Sequence, residues 1–229
     1  MNKLLGIVLC LLMLFSAVNV SFAAQSPSSN QSLKSNHYLG HTNYGWVEKD
    51  YYGNKKSKNT IVLIVGVHPQ ENGIHKAITK NIAKKSAKLN KRYVVYKVHV
   101  TKNTYDYKKG RMNGQLLAQK FIVPDVAKEK PILVVDNHEN HWLRSGYAYS
   151  RFVYPISKTK VAKNYEKKII HKMPFLRIYI PPNHTSPKYV TVPIAKKGIP
   201  TLIYETYMSD SKIKKNSDAS KLISTLDKL

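Results

Sequence analysis

The stretch "IVLIVGVHPQENGIHKAI", residues 61–78, decides how the rest of the chain is read. Its first part is a continuous apolar run rich in Val and Ile, without polar alternation. Over residues 59–67 such a run fits a strand buried on both faces. The period then changes. Ile74, Ile78, Ile82 and Leu89 recur on one side of "NGIHKAITKNIAKKSAKL", with lysines opposite, which predicts an amphipathic helix. Between strand and helix stands "HPQE". Histidine and glutamate are costly to bury, so their place at the end of a buried strand needs a reason.

The same alternation continues outward. "RYVVYKVHV" (92–100) reads as a second strand, and "KNTYDYKKGRMNG" (102–114), polar and glycine-containing, as a long loop. "PILVVDNHE" supplies a third strand, "KTKVAKNYEKKIIHKM" a helix and "FLRIYI" a strand-like piece. "GIPTLIYETY" is a further buried strand centred on residues 201–204. "SDASKLISTLDKL" closes the chain as a helix, with Ser217 as its N-cap and Leu222, Ile223, Leu226 and Leu229 facing inward. Apolar strands alternating with helices predict an α/β domain with a mostly parallel central sheet flanked by helices. In such sheets the functional crevice lies beyond the carboxyl ends of the strands.

The chain's 229 residues carry a formal charge of +25 and one cysteine, Cys10. Lys3, the short apolar run over residues 4–20 and the small residues Ser21 and Ala23 read as a secretory signal peptide over residues 1–23. Residues 24–36 read as a flexible polar linker and residues 37–229 as a single catalytic domain. With Cys10 inside the signal segment, the mature chain has no disulfide, no thiol nucleophile and no cysteine zinc site, and no transmembrane helix after cleavage. Export leads to a secreted or envelope-associated protein. The basic surface suits an anionic cell-envelope polymer. Lysines are scattered rather than gathered in one stripe with aromatics, which argues against nucleic acid as the partner.

Three apolar strands end in reactive side chains. The first delivers His68 and Glu71, the third Asp136, His138, Glu139 and His141, and the last Glu205. Taken singly these are weak: His138 could cap a strand and Glu205 could pair with a lysine. Together at one sheet end they suit zinc, which takes imidazole nitrogen and carboxylate oxygen and in catalytic sites has three protein ligands. His68, Glu71 and His138 form such a set. Glu205 is then the carboxylate left over as general base. A set built on Glu71 and His75, four residues apart on the helix, is the rival, although His75 reads more simply as an exposed helix residue.

The order of these motifs resembles the zinc carboxypeptidase superfamily, nearest its compact succinylglutamate desuccinylase/aspartoacylase branch. "GVHPQENG" is similar to that branch's G-x-H-G-N-E segment, "VVDNHEN" to its D-x-H-x-T segment and "GIPTLIYETY" to its G-I-P-x-x-x-x-E segment. The resemblance covers roughly residues 61–207. It implies a zinc carboxypeptidase-like (phosphorylase/hydrolase-like) fold and one zinc per chain on His68, Glu71 and His138. It also implies that Glu205 activates the water and then protonates the leaving amine. Arg111 falls where the family polarises the scissile carbonyl or binds a substrate carboxylate, Asn113 would help hold that carboxylate, and Asp136 would orient His138.

The sequence departs from that pattern at Pro69 and Gln70, and in lacking the family's Asn-Arg pair, near whose place "RMN" stands. Arg144 in "HWLRSGY" is a rival for anion binding. His141 is a candidate proton shuttle, His184 a candidate at the pocket mouth, and Tyr207 a candidate hydrogen-bond donor, though packing is its simpler role. The expected activity is zinc-dependent hydrolysis of an amide in a peptide or N-acyl amino acid, including a cell-wall peptide. The alternative is a catalytically inactive basic envelope-binding protein of the same fold.

Overall fold

The structure, a computed structural model, describes residues 37–182 and 186–229. The signal segment, the linker and His184 fall outside these residues. The strands are β1 (His37–Thr42), β2 (Gly45–Gly53), β3 (Thr60–Val65), β4 (Arg92–Val100), β5 (Pro131–Asn140), β6 (Phe152–Pro155), β7 (Arg177–Ile178) and β8 (Thr201–Tyr207). The helices are α1 (Asn72–Lys85), α2 (Tyr107–Leu117), α3 (Val123–Asp125), α4 (Lys160–Lys172), α5 (Ser186–Tyr189), α6 (Thr191–Ala195) and α7 (Lys212–Leu226). The strands form one sheet in the order β1-β2-β4-β3-β5-β8-β6-β7.

The four central strands, β4, β3, β5 and β8, run parallel. The expectation of a mostly parallel sheet describes this centre, while β1–β2, β2–β4 and β6–β8 pair antiparallel. β3 is buried along its whole length. Its period-two geometry sends Ile61, Leu63 and Val65 into a core built with α1, α4 and α7. Val62 and Ile64 enter a second core with α2 and α6. Each of these aliphatic side chains contributes about 1.5–3 kcal/mol by leaving water, so β3 is a stiff post for the turn at its carboxyl end.

Three sequence expectations are corrected, and one element was not anticipated. The segment 102–114 is not a long loop, since most of it is α2, started by Asp106, whose carboxylate accepts from Lys108 N at 3.0 Å and Lys109 N at 2.8 Å. Its glycines serve close packing: a Cβ on Gly114 would lie 1.8 Å from Val67 O, and one on Gly110 2.6 Å from Asn103 O. The closing helix begins earlier than expected and is capped by Ser211, which accepts from Lys214 N at 3.2 Å, not by Ser217. "FLRIYI" contributes only the two residues of β7. The hairpin β1–β2 has no counterpart in the sequence reading. Among the described residues no helix is long and apolar enough to cross a membrane.

Candidate metal centre

β3 is followed by Gly66, whose φ of +86° lies in the region glycine favours. A side chain there would meet Val98 O at 2.2 Å. The chain turns at once, and Glu71 N closes the turn on His68 O at 3.1 Å. Glu71 therefore stands directly before α1, yet its side chain does not cap that helix. Glu139, from the end of β5, accepts from Gly73 N at 3.1 Å and Ile74 N at 3.0 Å and so satisfies the first turn from outside. Lys215 of α7 holds Glu139 in place at 2.5 Å. The Glu71 carboxylate is thus left to face the strand ends.

His68, Glu71 and His138 are all buried, and one donor atom from each lies within 4.8 Å of the others. Glu71 Oε1 is 2.7 Å from His68 Nδ1, and Oε2 is 2.9 Å from His138 Nδ1. Glu71 Oε2 also accepts from Glu139 N at 3.2 Å, and Arg111 donates to Oε1. The two imidazole rings sit 4.5 Å apart, centroid to centroid. Each ring's far nitrogen has a neighbour. Gln115 Nε2 is 3.2 Å from His68 Nε2, and Asp136 Oδ2 is 3.0 Å from His138 Nε2, off the axis of a hydrogen bond.

Electrostatics differ for the two histidines. Burial pushes His68 down to about 4, against the pull of Glu71. Burial also works against a charged His138, but Asp136 and Glu71 outweigh it and hold the ring well above its ordinary value. Burial likewise opposes ionisation of Glu71, but the two imidazoles overcome it and keep the carboxyl well below the usual range. Two imidazole Nδ1 atoms converging on one carboxylate, with a polar neighbour at each far nitrogen, is the donor chemistry of a three-ligand zinc site. The residues fit that ion.

Parallel pairing of β5 and β8 places Glu205 opposite His138. Asn140 donates to Glu205 Oε2 at 3.1 Å. Burial, with the nearby charge of Glu71, pushes Glu205 up to about 7, while His138, Asn140 and Arg111 pull the other way. Glu205, Arg111, Tyr107, Tyr147, His68 and Glu71 line one cavity of about 20 Å³, enough for roughly one water. Arg111 stacks its guanidinium on Tyr107 at 4.9 Å.

The other residues singled out from the sequence have varied places. Asn113 donates to Lys102 O at 2.9 Å on the exposed side of α2. Arg144 is exposed in the turn after β5. His141 lines the small cavity, and Tyr207 packs edge-on against Trp142 at 5.9 Å. His75, read as an exposed helix residue, is buried and bonds Asn137 O at 2.8 Å, which directs it away from the metal set. Sequence reasoning missed the roles of Gln115, Glu139, Asn140, Tyr147 and Lys215. The signal available for Glu139 was its place beside His138, where strand alternation turns it toward α1.

This architecture is the zinc carboxypeptidase-like fold: a mixed eight-stranded sheet flanked by helices, with a His-Glu-His cluster at the ends of its central strands. No protein-family model and no curated protein matches the chain. Among solved structures it is similar to a metallo-carboxypeptidase from Burkholderia cenocepacia, with TM-score 0.58 and 10% identity over 86% of this chain and 65% of that one. It is also similar to a succinylglutamate desuccinylase/aspartoacylase from Rhodobacter sphaeroides, with TM-score 0.53 and 15% identity over 84% and 64% of the two chains. A third is the LapA aminopeptidase of Legionella pneumophila, with TM-score 0.56 and 10% identity over 86% and 58%. The chain spans less than two thirds of the length of each of these three proteins.

Proposed function

We propose that the protein is an exported zinc-dependent hydrolase of amide bonds in a peptide or N-acyl amino acid, with a cell-envelope peptide the favoured substrate. The observation that carries this reading is the meeting of Glu205, Arg111 and two of the three candidate ligands, His68 and Glu71, on one cavity at the ends of three parallel strands. A binding module has no use for a half-buried carboxylate at that position. His68, Glu71 and His138 would hold the ion, which when bound supplies a Lewis acid for the scissile carbonyl and lowers the pKa of water at the site.

Glu205 takes the proton of the attacking water as the new carbon–oxygen bond forms, then returns it to the leaving nitrogen as the carbon–nitrogen bond breaks. Arg111 donates to the carbonyl oxygen as negative charge develops there. Tyr107 keeps its guanidinium in place. The net charge of +25 supports residence on an anionic wall or cell surface.

The test is metal content and turnover of the mature chain. About one zinc per chain is expected, lost in His68→Ala and retained in Glu205→Gln, with turnover of an N-acyl amino acid or peptide panel abolished in both. A wild-type chain that binds no metal would sink the reading, and metal without turnover across the panel would favour the inactive envelope-binding alternative.

A further inference from the structure

We propose that a groove along α1 holds the substrate chain on one side of the scissile bond and selects segments that carry carboxylates. This rests on the hydrolase reading above. The groove encloses about 880 Å³, far more than the cavity that holds Glu205. His68 and Gln70 line both. The two spaces therefore share a wall at the turn after β3, and the proposed path of the chain runs from the groove over Gln70 to Glu205.

The floor is formed by β2 and β4. Trp46 and His99 stack there, with ring centroids 4.6 Å apart and planes 11° from parallel, and both keep part of their surface open. They present a flat aromatic platform to a peptide backbone. One wall is α1 from Asn72 to Lys80. At 1.5 Å per residue that wall runs about 12 Å, the span of three to four extended residues. The far rim carries Tyr105, which is 97% exposed.

Charge chooses the occupant. Lys76 and Lys80 are exposed, lie one turn apart on the wall, and form no ion pair among the described residues. Glu48, the acid in the lining, is already answered within the floor, 3.5 Å from Lys97 Nζ and 3.3 Å from His99 Nε2. Lys97 is held in turn by Asp50. The two rim lysines remain for a ligand. The aromatic floor and the wall shared with the cavity of Glu205 favour an acidic peptide over a plain polyanion.

The test uses the metal-loaded Glu205→Gln chain and short labelled peptides carrying Glu or isosteric Gln, read by fluorescence anisotropy. Tighter binding of the Glu peptide is expected. The Lys76→Gln/Lys80→Gln pair should erase about five- to tenfold of that preference, as two partly exposed ion pairs would. The matched pair Lys163→Gln/Lys167→Gln on α4 should leave it intact. Equal binding of both peptides, or an equal loss in the α4 pair, overturns the proposal. So does a polyphosphate chain that displaces the peptide at equal charge concentration. Cleavage is read in parallel on the parent chain. Unselective cleavage overturns the groove alone, whereas selective binding that tracks the rim lysines without any cleavage supports the groove and overturns the hydrolase reading.

Discussion

Gln115 illustrates how one side chain away from the chemistry sets the chemistry. It is buried on α2, its Nε2 lies 3.2 Å from His68 Nε2, and its Oε1 has no hydrogen-bond partner. Turned about its last bond, the amide would accept a hydrogen bond from a proton carried on His68 Nε2, the tautomer that frees the Nδ1 lone pair for an ion held together with Glu71 and His138. Gln115 is a positioning residue for His68. Replacing a hydrogen-bond partner of this kind lowers metal affinity by about 10–100-fold. Gln115→Ala is therefore expected to lose zinc to a chelator at a 10–100-fold lower free-chelator threshold, with its far-ultraviolet circular dichroism unchanged. Gln115→Glu should recover part of the loss, because it restores an acceptor. An alanine variant that holds zinc as tightly as wild type would remove Gln115 from the site.

At the scale of elements, α2 shows what the sequence reveals and what it hides. The strand ends were legible because buried apolar runs and the His-x-x-Glu, His and Glu sites lie within a few residues of one another along the chain. α2 was not, because Gly110 and Gly114 look like loop residues. Their reason is tertiary: the helix lies so close to Val67 and Asn103 that only a hydrogen fits. The hairpin strand β2 was hidden for a related reason. Lys49 and Asp50 interrupt its pattern, and the acid and base that neutralise them, Asp125 and Lys97, lie far away in sequence. Because α2 carries both Arg111 and Gln115, its seat matters to the site. Gly114→Ala is expected to push α2 off Val67 and cost about 1–3 kcal/mol, the usual cost of overpacking. Thermal unfolding should show a lower Tm, and chelator titration a weaker hold on zinc. Gly146→Ala is a useful contrast, since no atom lies within 4 Å of the Cβ it would add, although its φ of +67° carries its own strain. A Gly114→Ala chain with wild-type Tm would show that the close approach is not needed.

Over the whole molecule, the question is what ties the antiparallel hairpin to the parallel sheet that carries the site. Lys49 of β2 reaches Asp125 Oδ2 at 2.5 Å and Glu129 Oε1 at 2.6 Å, in the segment that leads into β5. Tyr96 of β4 donates to Asp125 at 2.8 Å, and Arg92 pairs with Glu129 at 2.5 Å. Burial alone would raise both carboxyls, but the hydrogen bonds from Lys49, with Tyr96 on one and Arg92 on the other, outweigh it and hold both below their ordinary values. The unfolded chain therefore binds more protons in acid than the folded one. The stabilisation is fully present above the ordinary carboxylate range, about pH 4–4.5, and drains away as pH falls through the lower folded values. Asp125→Asn takes one carboxylate out of this balance. It is expected to cost about 1–3 kcal/mol at pH 7, the scale of a lost bond to a buried charge. It should also flatten the fall of stability below pH 4, because one fewer group then changes its proton uptake on folding. Urea unfolding of both chains between pH 3 and 7 measures the two effects together. Parallel stability curves offset by a constant would mean that Asp125 acts by packing alone, and coincident curves would mean that the hairpin is held by its backbone ladder to β4 without help from these charges.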